Sequence, residues 1–443
     1  MIKDLTQGNV LKNMAVFAGP YLFACFLQTF YPIADLFIAG LYNGAETISA
    51  ISIGGQIMHL VVMAIAGIAM GANVCIGQAF GEGARDKQSC AIGSTITIFA
   101  ILAIILTPIA IICTEPLIEV MQTPKEAFSL TIDYTKICFI GIPFIVAYNA
   151  IASIYRGLGN TNHPLIFVAI GGVFNILLDI LFIGYMGMGA VGAAIATVIA
   201  QVISVASGVL CLSRIKKAKP SKPNGAMIRS ILNVGLPILC QDGVVQIGFL
   251  IITAIANSRG LFVSASVGIV EKIICFFFLF PSAMLATVSA FSAQNRGADL
   301  HHRSKLALKY GIIAVSIYGA ISALICQPLA PALVGLFTEE AEVVKLGTQY
   351  LRTYSIDILV AGIHFCFSGF FCAYSKSIWS FVHNIISIVF VRVPGTWLVS
   401  VLFPATLYEM GIVTPAGSLV SVLICILIYR HYREWWNNPS KLT

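Results

Sequence analysis

Apolar residues follow one another in long stretches along this chain, and each stretch is closed by a short polar turn. Runs such as Ile98–Ile112 and Ile385–Val391 are almost continuous. An outer-membrane barrel strand would instead alternate apolar and polar positions over about ten residues, so that class is excluded. A helix needs roughly 20 apolar residues to cross a bilayer. On that measure the pattern predicts twelve spanning helices, near 11–34, 48–76, 91–113, 134–155, 164–184, 190–212, 230–256, 261–292, 308–329, 350–372, 378–402 and 413–430. The expected fold class is an all-α polytopic membrane protein. Several stretches exceed the minimum length and are expected to tilt or to extend past the lipid.

Composition supports the pattern. Of 443 residues, 58% are hydrophobic and 10% are charged, where soluble domains sit near 45–50% and about 25%. A soluble enzyme, a disordered chain and a secreted disulfide scaffold are therefore excluded. The start, MIKDLTQGNVLKNM, lacks the apolar core of a signal peptide, so insertion is expected to begin with the first spanning helix. The 12 cysteines are scattered through apolar runs without a Cys-x-x-Cys pair, and free cysteine behaves there as a small hydrophobe. No disulfide or metal framework is expected.

Charge changes the picture by setting the topology. Lys125, Lys136, Arg259, Lys345 and Arg352 fall on one side of the predicted spans, and Lys272 and Arg392 fall within them. The other 19 of the 26 basic residues share the opposite side. The positive-inside bias makes that side the cytoplasm, with both termini inside. Topology thus accounts for the net charge of +7, and no nucleic-acid partner is implied. The basic run Arg214, Lys216, Lys217, Lys219, Lys222 reads chiefly as a positive-inside linker, with contact to anionic headgroups as the other reading.

The same segment punctuates the chain, giving an expected first lobe over 1–212, a basic cytoplasmic linker over 213–229, a second lobe over 230–430 and a cytoplasmic tail over 431–443. The halves look duplicated. Ala18-Gly19-Pro20 is matched by Gly235-Leu236-Pro237, Gln78-Ala79-Phe80-Gly81 by Gln294-Asn295-Arg296-Gly297, and Tyr134 by Tyr350, all at an offset of about 217 positions. Six spans per repeat give both halves one orientation, related by a pseudo-two-fold axis along the membrane normal, with a substrate path expected between them.

Ionisable residues inside spans are costly and are candidates for function. The acidic set is Asp35, Asp179, Asp242, Glu271 and Asp357, against Lys272 and Arg392. This excess of negative charge suits a cationic ligand, a proton or a sodium ion. Gln28, Tyr31 and Asp35 share one helical face by their three- and four-residue spacing. Pro20 and Pro32 free the carbonyls of Val16 and Gln28, so this helix bends at low cost. Asp35 either belongs to an interior site or sits in water at the outer rim; the residues alone leave both open. Asn175 and Asp179 lie one turn apart and form a second polar patch, or simply pack helices together. Thr197 alone reads as packing. In the second half, Glu271 and Lys272 are adjacent and point to different sides. Asp242 with Lys272, and Glu271 or Asp357 with Arg392, are the expected pairs, read chiefly as a structural charge network, with direct ligand binding as the other reading.

Gly187-Met188-Gly189-Ala190-Val191-Gly192 fits the dinucleotide fingerprint, but that motif has meaning only between a strand and a helix of a βαβ unit. Here it joins two predicted membrane helices and reads as a tight turn. No Walker loop and no nucleophilic triad with credible context are visible, so neither ATP coupling nor enzymatic chemistry is expected.

Taken together, these features resemble the multidrug and toxic compound extrusion (MATE) family, nearer its DinF-like branch. Pro20 placed fifteen residues before Asp35, Arg156-Gly157-Leu158-Gly159-Asn160, Asn175-x-x-x-Asp179 and Gly189-Ala190-Val191-Gly192-Ala193-Ala194-Ile195-Ala196-Thr197 carry the resemblance, which covers nearly the whole chain. It implies a monomeric inner-membrane antiporter that exports cationic or amphipathic organic molecules in exchange for H+ or Na+ by alternating access, without a cofactor. It also implies that Asp35, Asn175, Asp179 and Thr197 hold the coupling cation, the one place where a Na+ is expected, and that Gln28, Tyr31 and Asn149 line the substrate cavity. The family's NorM-type branch adds a carboxylate pair in the second lobe, whereas Val245 and Ala361 fall near those positions here; first-lobe coupling is therefore favoured. A lipid-linked precursor flippase of related architecture is the alternative. It would want a large basic cavity, and only Lys272 and Arg392 lie at membrane depth. A membrane-embedded enzyme is the remaining alternative, for which no catalytic motif is visible.

Overall fold

The computed structural model of the protein describes residues 3–214, 219–432 and 436. Those residues form helices and connecting turns, with no strand among them. Eleven helices are long and apolar enough to span a membrane, and a bent pair brings the number to twelve. In chain order they are α1 (Val10–Tyr42), α2 (Ala45–Gly81), α3 (Arg85–Ile112), α4 (Lys125–Ile140 with Ile142–Gly157), α5 (Asn162–Tyr185) and α6 (Gly189–Ser213). The second set is α7 (Gly225–Ser258), α8 (Leu261–Gly297), α9 (His301–Gly335), α10 (Ala341–Ala373), α11 (Ile378–Leu402) and α12 (Tyr408–His431). Large apolar side chains such as Phe37, Ile104, Ile112 and Leu324 stay exposed on them. A helix that satisfies its own backbone and turns hydrocarbon outward is what a lipid solvent demands.

Helix ends depart from the sequence pattern where a charge interrupts an apolar run. The first span was expected to stop at 34, but α1 continues to Tyr42 through Leu36, Phe37, Ile38 and Ala39. Asp35 therefore lies well inside a helix. The break in α4 is a 45° bend at Gly141, where Pro143 has no N–H to donate to the Phe139 carbonyl. The glycine motif between α5 and α6 is a tight turn, with Gly187 at φ 65° and Gly189 at φ 54°, conformations that only glycine adopts freely.

The chain forms two compact units, and the boundary between them is not the basic linker. Gly19–Gly235 belong to the first unit, while Leu5–Ala18 belong to the second together with the chain from Leu236 onward. The changeovers thus fall inside α1 and α7, each beside a proline, Pro20 and Pro237. Residues 215–218 of the expected linker, and 433–435 and 437–443 of the expected tail, lie outside the described residues.

Packing explains both changeovers. In the first unit, the Ser221 amide donates to the Ser89 carbonyl at 3.0 Å, and the Asn224 amide to Ser94 Oγ at 3.2 Å. Further along α7, Gly235 lies against α2 so closely that a Cβ would stand 2.9 Å from Ile68 Cα. Small residues permit such backbone approach between membrane helices. In the second unit, the Leu5 amide donates to Gln294 Oε1 at 3.0 Å. The Arg303 guanidinium there donates to the carbonyls of Leu5 at 3.1 Å, Gln7 at 3.2 Å and Gly8 at 2.9 Å.

Candidate functional site

Asp35, Asn175, Asp179 and Thr197 come from α1, α5 and α6 and meet inside the first unit. Asp35 is 5% exposed, Asn175 4% and Asp179 0%, which removes the outer-rim alternative for Asp35. Asn175 Nδ2 donates to Thr197 Oγ1 at 3.5 Å, and Thr197 Oγ1 donates to Asp35 Oδ2 at 3.5 Å. The Asp35 and Asp179 carboxyls lie close enough for a hydrogen bond between them once one carries a proton. Without that proton neither can donate, and Asp35 Oδ1 and both Asp179 oxygens then have no hydrogen-bond partner.

Local structure produces this meeting. Asp35 and Asp179 project from helices whose remaining neighbours are apolar: Ile38, Ala39, Ala50, Ile51 and Ile183 form a buried cluster, with Leu36, Ile176 and Ile180 packed against it. Asp179 closes the α-helical part of α5, and a π-helical segment follows over Ile180–Tyr185. Such widened turns interrupt the regular ladder and are frequent where side chains must be re-aimed. Among the described residues, no lysine or arginine forms an ion pair with either carboxyl. Isolated charge in such surroundings is expensive unless something positive balances it. The donor set of two carboxylates, one amide and one hydroxyl offers hard oxygen ligands, the chemistry that a proton or a small hard cation requires. No group of three or more His, Cys, Asp or Glu side chains suited to a metal occurs among the described residues.

Tyr134 is a member of this neighbourhood that the sequence pattern marked only as a repeat position. It is 4% exposed, within electrostatic reach of both Asp35 and Asp179, and hydrogen-bonded to the Cys138 side chain. Its i, i+4 spacing to Cys138 was the available signal. The expected cavity residues divide. Gln28 is exposed, and its Nε2 donates to Tyr148 Oη at 3.4 Å. Tyr31 donates its hydroxyl to the Val168 carbonyl, and its ring lies across Gly172, where a Cβ would collide with it. Asn149 is half-buried, and its amide is turned back to the Ile145 carbonyl at 2.9 Å. Near Tyr148, the Arg156 guanidinium stacks 4.6 Å over the Tyr21 ring.

In the second unit one of the expected charge pairs, Asp357 with Arg392, is made and another is not. Arg392 Nη2 pairs with Asp357 Oδ2 at 3.5 Å and donates to Ser418 Oγ at 2.6 Å. Lys272 is exposed and forms no ion pair among the described residues, so the expected pairing with Asp242 is not made. Adjacent residues leave a helix about 100° apart, and here it is Lys272 that faces out. Asp242 takes a hydrogen bond from the Gln241 side chain. Glu271 keeps one buried oxygen, Oε1, without a partner.

The family model MatE matches residues 20–181 and again 237–398. The probable multidrug resistance protein YpnP of Bacillus subtilis (strain 168) is 29% identical over 437 residues, covering 98% of this chain and 97% of its own. The probable multidrug resistance protein YoeA of the same organism is 25% identical over 450 residues, covering 98% and 96%. Among solved structures, a MATE crystal structure in the bent conformation superimposes with a TM-score of 0.92 at 21% identity, covering 99% of this chain and 98% of that one.

Proposed function

The chain belongs to the MatE family, whose members are transporters rather than enzymes, and from that premise we propose that it is an exporter of cationic or amphipathic small molecules, driven by inward flow of H+ or Na+. The observation that carries the proposal is the buried meeting of Asp35 and Asp179, with Thr197 and Asn175 beside them and no lysine or arginine among the described residues paired with either carboxyl. Two carboxyls held together away from water favour uptake of a positive ion. Relatives over nearly full length carry names of multidrug resistance, which supports a drug-like substrate class. The basic bias of one set of turns supports an inner-membrane location with both termini in the cytoplasm.

Ion uptake from outside and substrate uptake from inside would each favour a different facing state. Differential affinity for the two states is what moves such an equilibrium. One elementary charge crossing 100 mV yields about 2.3 kcal/mol, roughly a 50-fold gradient. Helix α1 carries both Asp35 and the interior prolines Pro20 and Pro32, so a change at the carboxyl and a bend of the helix share one element. Gln28 and Tyr31 on the same helix would line the substrate path.

The test is accumulation of a fluorescent organic cation in proteoliposomes under separately imposed pH and sodium gradients. Accumulation under one gradient supports the proposal and names the ion. Equal accumulation with neither gradient removes ion coupling.

A further inference from the structure

The two family matches, 20–181 and 237–398, are of equal length at an offset of 217. Side-chain geometry confirms the correspondence. In the first unit, Ser204 Oγ on α6 donates to the Phe167 carbonyl on α5 at 3.0 Å; in the second, Ser421 Oγ on α12 donates to the His383 carbonyl on α11 at 3.1 Å. The serines are 217 apart and the carbonyl residues 216. A π-turn holds one residue more than an α-turn; each unit carries one in this helix, Ile180–Tyr185 in the first and, earlier in the helix, Ile388–Arg392 in the second, so the offset is already 217 over Asn175–Asp179 once the second-unit segment is reached. Beyond it, Asn175 corresponds to Arg392, Asp179 to Thr396 and Thr197 to Thr414, while Pro20 and Pro237 set Asp35 against Ile252.

Three of the four members of the first-unit site are thus replaced by a residue of different charge, while Thr197 is matched by Thr414. Ile252, 6% exposed, sits in an apolar cluster, and Thr396 is 1% exposed. Arg392 brings a guanidinium whose partners are Asp357, 0% exposed, and Ser418. Gly417 on α12 leaves room for it, since a Cβ there would stand 3.0 Å from Arg392 Nε. Asp357 is faced by Arg392 from α11; Tyr350 and Tyr354 on its own helix and Glu271 on α8 complete the charged and titratable neighbours, and His364 lies within reach of Arg392.

We infer that Arg392 is a resident cation: it occupies covalently, against Asp357, the position that the first unit keeps for an exchangeable ion, so that the second unit takes up none. Arg392 is then the residue that restricts ion exchange to one lobe. This rests on the first-unit ion site proposed above for its contrast, but not for its test.

The test uses the full-length protein in detergent, with melting temperature followed from about pH 8 down to pH 5. In R392Q, Asp357 is left buried and unpaired. Such a carboxyl binds more protons folded than unfolded, so stability is lost as pH rises and regained on acidification. R392Q is expected to melt several degrees below the parent at pH 8 and to recover by pH 5. R392Q/D357N, which removes both charges, is expected to melt near the parent throughout and controls for misfolding of the single variant. R392Q without acid recovery, or a parent whose stabilisation by added H+ or Na+ disappears in D357N while persisting in D35N, overturns the inference. Ion response that survives in D35N, alongside acid recovery of R392Q, removes the first-unit site and leaves Arg392 as the resident cation.

Discussion

Asp35 on α1 and Asp179 on α5 meet in the interior of one six-helix unit, and no lysine or arginine among the described residues pairs with either. On the proposed coupling, neutralising one of them removes the reason for an ion to bind. D35N and D179N are each expected to lower gradient-driven export in everted vesicles by about tenfold or more, the scale of an ordinary coupling free energy. Expression and melting temperature should stay at or above parent values, since a buried unpaired charge has been replaced by an amide. Full export by D35N would remove Asp35 from coupling.

Tyr31 and Gly172 form the next constraint. The phenol ring lies where a Cβ on Gly172 would be, and its hydroxyl is tied to the Val168 carbonyl one turn earlier on α5. G172A therefore displaces Tyr31 or pushes α5 away from α1. Overpacking of this kind costs typically about 1–3 kcal/mol, so a lower melting temperature and reduced transport are expected. Removing the ring should relieve the strain: G172A/Y31A is expected to melt above G172A. Equal melting of the two would show that the contact carries no strain.

The existence of the spans was legible because a bilayer demands a long apolar run, and nothing else in the chain mimics one. Their ends were less so. Asp35 interrupted the run that continues through Leu36–Ala39, and only the covering helices α5 and α6 make a mid-helix carboxyl tolerable. Sequence spacing brought Asn175 and Asp179 onto one face, but it could not show that both would reach Asp35. Adjacency separated Glu271 from Lys272 without saying which faces out, and it left Arg392 a choice between Glu271 and Asp357. Packing settled these, as it placed the unit changeovers beside Pro20 and Pro237 rather than in the basic linker.

Arg303 holds the N-terminal segment to the second unit. Three carbonyls, of Leu5, Gln7 and Gly8, accept from one guanidinium, and its Nε donates to Asn295 Oδ1 at 2.9 Å. R303A leaves those acceptors without their cationic donor, a loss of about 1.5–3 kcal/mol for a charged hydrogen bond. Limited proteolysis is expected to cleave the R303A chain within 5–18 faster than the parent, with the rest of the digestion pattern unchanged. Identical cleavage rates would mean that the buried Leu5 and Met14 hold the segment without help.

Pro20 stands directly after the changeover between Ala18 and Gly19, inside a continuous helix. Its ring removes the bond to the Val16 carbonyl, so the backbone can bend there with one ladder bond fewer to break. P20A restores the donor and stiffens the point at which α1 passes from one unit to the other. If bending of α1 accompanies ion exchange at Asp35, P20A should slow turnover severalfold while leaving the apparent substrate affinity and the melting temperature at or above parent values. Proteoliposome transport at varied substrate concentration separates the two parameters. Unchanged turnover in a well-folded P20A protein would take Pro20 out of the moving parts, leaving Pro32, which frees the Gln28 carbonyl next to the proposed cavity, as the bend to examine by the same substitution.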